Sequence, residues 1–174
     1  MEMPLHSVPA EPATLDAVPI AFEDLVEAES ARLFRALFLI TGNRAEAEEV
    51  MQDALLAVWE RWDRVGAMDD PTGYLFRTAL NLFRKRLRRA AVAARKVVRP
   101  SLGTDDFAAI EDREVVFAAL RELKPNERAA IVVTALLGYS SEEAARLLGT
   151  TPGTVRALAS RARAAMKRAV GELT

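Results

Sequence analysis

The side chains in this chain with the most chemistry to offer are charged, and they come in blocks. Residues 71–100 hold nine lysines and arginines and no acid, and residues 151–174 hold five bases against Glu172 alone. Within the first block Arg77, Asn81, Arg84, Lys85 and Arg88 recur at i, i+4, i+7, i+8 and i+11, the spacing of one helical face. A helix that basic, with no acid of its own for i,i+4 pairs, repels itself in isolation and calls for an external anion. In the second block Val155, Ala159, Ala162 and Met166 form an inward stripe, and Arg156, Arg163 and Lys167 project away from it with Arg161 and Arg168 at its flanks. Two basic blocks on patterned helices point to polyanion contact.

The total charge hides this. Twenty-four bases and 25 acids sum to −1, a figure that argues against nucleic acid. The acids are concentrated elsewhere, on residues 1–70 and 101–114. One acidic stretch has a pattern of its own. Glu49, Gln52, Asp53, Leu56 and Glu60 share one helix face, opposite Ala47, Val50, Met51, Ala54, Val58 and Trp62. A leucine in the middle of a polar face is a candidate partner contact.

Other chemistries are excluded by composition. With no cysteine there is no disulfide, zinc ribbon, thiolate nucleophile or iron–sulfur ligation, and a reducing compartment fits. The only histidine, His6, stands in a proline-rich tail without a second histidine to complete a metal site. No phosphate-cradling glycine loop occurs. The expectation is a protein that is not an enzyme, with no metal and no cofactor. No apolar run approaches the roughly 18 residues of a membrane span. The first twenty residues carry no lysine or arginine, so the charged start of a signal peptide is missing. The expected address is the cytoplasm, without membrane insertion.

The positioning elements are all helices. At 174 residues the chain allows one domain or two small ones, and 6% aromatics lean helical. Residues 1–20, with four of the eight prolines, read as a disordered extension. A helix spans Phe22–Thr41 and ends at Gly42. Asn43 with Glu46 begins a second, running to about Trp62. Residues 64–70 are a loop, and Pro71 opens a third helix running to about Ala94. Residues 96–111 read as a flexible linker. Beyond it come a stripe of Val116, Leu120 and Leu123 broken by Pro125, and a helix carrying Ile131, Val132, Ala135 and Leu136 that stops at Gly138. A capping box at Ser140 and Glu143 starts a helix over Ser141–Leu148, which ends at Gly149. Thr151 then caps a last helix from Pro152 to about Val170. The expected architecture is all-α, with two small helical domains near 21–95 and 112–172.

A short helix, a glycine-centred turn and a basic second helix form the helix-turn-helix pattern, which places its second helix in the DNA major groove. The helix start near Thr151–Thr154 suits a phosphate. An ordinary antiparallel hairpin is the competing reading of this segment alone.

Three stretches in order, NRAEAEEVMQDALLAVWERW, DDPTGYLFRTALNLFRKRLRRA and ALRELKPNERAAIVVTALLGYSSEEAARLLGTTPGTVRALASRARAAMKRA, resemble the extracytoplasmic-function sigma factors, the two-domain branch of the sigma-70 family. The last stretch alone also resembles the DNA-binding domain of LuxR-type regulators. The sigma resemblance implies a transcription initiation factor whose partners are core RNA polymerase (largest-subunit clamp helices and flap region), promoter DNA and an anti-sigma factor. It implies that Glu49, Gln52 and Asp53, with Leu56 beside them, face polymerase. It implies that Arg77, Asn81, Arg84, Lys85 and Arg88 serve the promoter −10 element, where an unpaired base is held in a pocket. It implies that Thr151, Thr154, Arg156, Ala157, Ser160, Arg161 and Arg163 serve the −35 element.

The sequence departs from that family at named positions. Tyr74 stands where tryptophan is common, and Lys85 where aspartate is. Arg156, Ala157, Leu158 and Ala159 replace a Lys-Ser-Arg-Leu run, and Leu158 gives up bidentate base readout at its place. Two other functions compete with the sigma reading. A one-component helix-turn-helix regulator requires an N-terminal sensor, for which residues 21–95 offer neither ligand pocket nor phosphoacceptor. A helical interaction protein without nucleic acid predicts binding insensitive to salt.

Overall fold

The computed structural model describes residues 20–94 and 111–172, and every regular element among them is helical. The expected N-terminal extension and linker fall almost wholly outside the described residues, as does His6.

Local signals set most helix ends. Helix α1 (Phe22–Thr41) carries Glu23 and Asp24 at its positive N-terminus. It ends at Gly42, whose φ of 71° lets its N–H return to the Phe38 carbonyl at 2.8 Å. Helix α2 (Arg44–Trp59) is capped by Asn43 Oδ1, which accepts the Glu46 N–H at 3.0 Å. Helix α2 stops short of Trp62, the end that its sequence pattern predicts. Arg61 leaves helical geometry (φ −122°, ψ 17°), and a separate turn α3 (Trp62–Val65) follows. The break lets the Phe22 ring meet Trp59 and Trp62 edge-on, at 5.1 and 5.3 Å, while Val65 is buried. Helix α4 (Pro71–Ala94) begins where Asp70 Oδ1 accepts the Gly73 N–H at 2.7 Å. A side chain on Gly73 would run into that carboxylate.

The C-terminal half contains α5 (Glu111–Arg121), α6 (Pro125–Ile131), α7 (Ser141–Leu148) and α8 (Pro152–Glu172). Helix α6 continues as a π-helical turn over Val132–Leu136, where the Leu137 N–H donates to the Val132 carbonyl at 3.0 Å. The wider turn shifts the helical phase. Val133 and Leu137 therefore face inward, and Ala135 and Leu136, read as inward from a regular helix, are exposed. Val116 is likewise exposed, and Ala119, Leu120 and Leu123 are the buried residues of that stretch. Ser140 and Glu143 make the full reciprocal capping box, at 2.8 and 3.2 Å.

The buried residues form one continuous core. Leu33, Leu37, Val50, Val58, Leu75 and Phe76 fill the space between α1, α2 and α4, and Val133, Ala144, Leu147, Val155 and Ala162 fill its C-terminal part. Each large side chain buried this way contributes about 1.5–3 kcal/mol. Specific contacts also join the two halves of the chain. Phe38 of α1 stacks on Phe117 of α5 with ring centroids 5.0 Å apart and planes 14° apart. Arg32 donates to the Leu137 carbonyl at 3.1 Å, and its guanidinium lies 5.3 Å from the Phe76 ring centre. Arg128 is buried with one hydrogen bond, to the Leu123 carbonyl at 3.1 Å; its Nε and Nη1 have no hydrogen-bond partner among the described residues.

Candidate nucleic-acid interface

Helix α4 turns Leu75, Phe76, Ala79, Leu80 and Phe83 into the core, and this packing fixes its other side outward. Arg77, Asn81, Lys85 and Arg88 are exposed along that side, four groups on one ridge some three turns long. Arg84 belongs to the same ridge by spacing but not by environment. It is half-buried, and its guanidinium lies against Gly149, so close that a Cβ there would collide with it. Gly149 is the turn between α7 and α8 and holds φ at 58°. The second basic helix thus meets the first through its own turn.

On α2, Glu49, Gln52, Asp53 and Leu56 are all exposed and lie within about two turns of one another. Leu56 is 57% exposed, and beside it Trp59 is 53% exposed. Trp59 was not singled out from the sequence, although its i+3 spacing from Leu56 marks the same face. The two acids have a partner that the sequence did not reveal. Arg86 of α4 donates from Nη1 to Glu49 Oε2 at 2.6 Å and from Nη2 to Asp53 Oδ2 at 2.7 Å. These two hydrogen bonds raise the Arg86 pKa above its ordinary value. One of the nine bases of the 71–100 block therefore finds its anion inside the chain. Beside this pair, burial pushes the Glu46 carboxyl above the usual carboxylate range, opposed by the charges of Arg86 and Arg128.

On α8, Val155, Ala159 and Ala162 are buried, and Arg156, Ala157, Ser160, Arg161 and Arg163 are exposed. Thr151 and Thr154 are exposed at the helix start, their hydroxyls 2.9 Å apart, and the Thr154 N–H donates to Thr151 Oγ1 at 3.2 Å. Two of the arginines make ion pairs, Arg156 with Glu142 at 3.2 Å and Arg161 with Glu127 at 3.1 Å. The Arg156 pair is exposed on both sides and worth at most about 1 kcal/mol, so a phosphate can displace it; Glu127 is mostly covered, which holds the Arg161 pair in a less screened setting. Leu158 is half-buried and packs against the core.

Comparison with known proteins matches both halves. Residues 25–92 match the family described as Sigma-70 region 2, and residues 113–166 match Sigma-70, region 4. The chain belongs to the sigma-70 family. Its relatives place it among the extracytoplasmic-function sigma factors. The ECF RNA polymerase sigma factor SigM of Mycobacterium tuberculosis is 32% identical over 156 residues, 88% of this chain and 79% of that one. The RNA polymerase sigma factor CarQ of Myxococcus xanthus is 30% identical over 163 residues, 91% of this chain and 94% of that one. Among solved structures, the sigma factor RpoE in complex with the anti-sigma factor NepR from Bartonella quintana shares the fold, with a TM-score of 0.70 and 23% identity over 86% of this chain and 96% of that one. CnrH in complex with the cytosolic domain of CnrY gives 0.59 and 28%, over 88% and 89%.

This sigma factor directs core RNA polymerase to promoters and initiates transcription; like its family it is a DNA-binding factor and not an enzyme. A sigma region occupies the half where a one-component regulator would carry its sensor, so that reading is set aside. No helix among the described residues is long and apolar enough to cross a membrane.

Proposed function

We propose a division of labour between the surfaces of this sigma factor. Residues 21–95 form the module that binds core polymerase and the −10 element, residues 112–172 form the module that binds the −35 element, and residues 96–111 connect them. Glu49, Gln52, Asp53 and Leu56, with Trp59 beside them, form the polymerase face. Arg77, Asn81, Lys85 and Arg88 run along the −10 strand, joined by Arg84 once it leaves Gly149. Arg156, Arg161 and Arg163, with Thr151, Thr154, Ala157 and Ser160, line the −35 surface, and the α8 N-terminus adds its dipole toward phosphate. The protein acts in the cytoplasm, and an anti-sigma factor clamps it there.

The observation that carries this reading is the separation of faces on one small bundle. The exposed acids and apolar groups of α2 and the exposed bases of α4 occupy different ridges of helices that share one core. Two binding events therefore proceed on one module without competing for surface. The anti-sigma partner is supported by the solved structure of the sigma factor RpoE, of the same fold, in complex with the anti-sigma factor NepR.

The test is in vitro transcription with core polymerase and a promoter library. Arg84→Glu or Lys85→Glu should abolish promoter opening and leave polymerase binding intact. Gln52→Ala combined with Asp53→Ala should weaken polymerase binding itself, and transcription should fall with it. Loss of polymerase binding in the first pair would show that the faces are assigned the wrong way round.

A further inference from the structure

Arg86 lies on the basic helix, yet the geometry removes it from the DNA-facing ridge. Its two terminal nitrogens reach two carboxylates one turn apart on α2, Glu49 at 2.6 Å and Asp53 at 2.7 Å. Both acids stay largely exposed. Each carboxylate has two oxygens, and the guanidinium occupies one of each, so both acids keep acceptor capacity for an incoming donor. Acids at i and i+4 repel each other, and unpaired they would sample several rotamers. The planar fork of an arginine suits this task, because it presents two donors in fixed geometry where a lysine presents a single point charge.

We propose that Arg86 is a positioning residue for polymerase docking: it holds the Glu49 and Asp53 carboxylates in one arrangement, so that the helix that faces DNA also preorganises the face that takes polymerase. This rests on the assignment of the α2 face to polymerase. Ordering two side chains before contact spares that loss at the moment of binding. It also makes α4 part of the polymerase site without touching polymerase. The arrangement places a mechanical link of two hydrogen bonds between the two binding surfaces of the module.

The experiment measures assembly of the full-length factor with core polymerase by fluorescence anisotropy, beside transcription at varied factor concentration. Arg86→Gln is expected to weaken assembly about five- to tenfold, the effect of leaving two interface side chains unordered. Arg86→Lys should fall between that variant and the parent. The transcription deficit of Arg86→Gln should be recovered by raising the factor concentration, because the opening step itself is unchanged. In a Glu49→Gln, Asp53→Asn background, Arg86→Gln should add no further loss. Tighter assembly in Arg86→Gln would mean that the arginine masks the acids, and would overturn the proposal. So would an additive loss in the double-acid background, or a transcription deficit that persists at saturation. Gln52→Ala with Leu56→Ala, which leaves the Arg86 contacts untouched, tests the underlying assignment separately. If that variant assembles normally the face is wrong; if it fails while Arg86→Gln assembles normally, only the positioning role is.

Discussion

The contact between the two halves makes a prediction about the free protein. Promoter elements centred at −10 and −35 lie about 25 base pairs apart, or roughly 85 Å at 3.4 Å per pair. Modules of some 70 residues have a radius of gyration of roughly 11 Å, so two that touch cannot span this distance. With the −10 and −35 elements assigned to the two modules as proposed, the Phe38–Phe117 stack, the Arg32–Leu137 hydrogen bond and the Arg84–Gly149 contact must separate before both elements are read. Phe117 is the natural point to weaken. A fully buried phenylalanine truncated to alanine costs about 3–5 kcal/mol, and Phe117 is half-buried, so Phe117→Ala should lose roughly 2 kcal/mol of docking. At 1.4 kcal/mol per tenfold, that is a shift of about 30-fold in the equilibrium between packed and separated modules.

The absence of cysteine makes the measurement clean. Glu27→Cys on α1 and Ala164→Cys on α8 are exposed positions on different halves and would be the only thiols in the chain. Spin labels at these sites should report one short distance in the parent protein. In Phe117→Ala the ratio of long to short distances should rise about 30-fold, with the helical circular dichroism unchanged. Promoter binding by the corresponding holoenzyme should become tighter, because a larger fraction of molecules is competent. A distance distribution identical in the two proteins, with the fold intact, would refute the reasoning: the aromatic stack would not be what holds the halves together.

Three further outcomes follow from local geometry. Gly149→Ala puts a Cβ at positive φ, a conformation that costs an L-residue about 1–2 kcal/mol, and displaces the Arg84 guanidinium; thermal melting should fall accordingly while Arg84 becomes more exposed to chemical modification. Hydrogen bonds from Ser140 hold the Glu143 carboxyl below the usual range, so its contribution to stability is present above that range and is lost as pH falls through it. Ser140→Ala should therefore be less stable than the parent at pH 7, and denaturant titrations should show the gap narrowing below about pH 4 to the part owed to the cap on the Glu143 N–H, which does not titrate. Glu46 has the opposite sign. Burial raises its pKa, the folded state holds the proton more tightly than the unfolded one, and stability declines as pH rises through the raised value. Glu46→Gln should be more stable than the parent at pH 7, and the advantage should vanish once the parent carboxyl is protonated.

What the residues reveal without coordinates is what their near neighbours decide. Gly42, Asn43, Pro71, Ser140 with Glu143, Gly149 and Thr151 mark helix ends through contacts within a few positions, and the helices begin or stop there. Where the cause is distant, local reading goes astray. The π-helical turn at Val132–Leu136 moves Leu136 out and Leu137 in, and no composition signal distinguishes it from a regular helix. The break after Trp59 goes with ring contacts to Phe22, nearly forty positions earlier, which no local pattern shows.

The same divide runs through the candidate site. The exposed ridge of Arg77, Asn81, Lys85 and Arg88 follows from periodicity alone, whereas Arg84 is turned aside by a glycine 65 positions later. The charge blocks show it most plainly. Read along the chain, the acids of α2 and the bases of α4 are separate surfaces with separate partners. Folded, they are joined at Arg86, because α2 and α4 pack side by side and bring position 86 beside positions 49 and 53. A near-zero total charge is then more than the cancellation of independent patches. Part of it is an internal pairing, and that pairing ties the surface assigned to polymerase to the helix assigned to DNA.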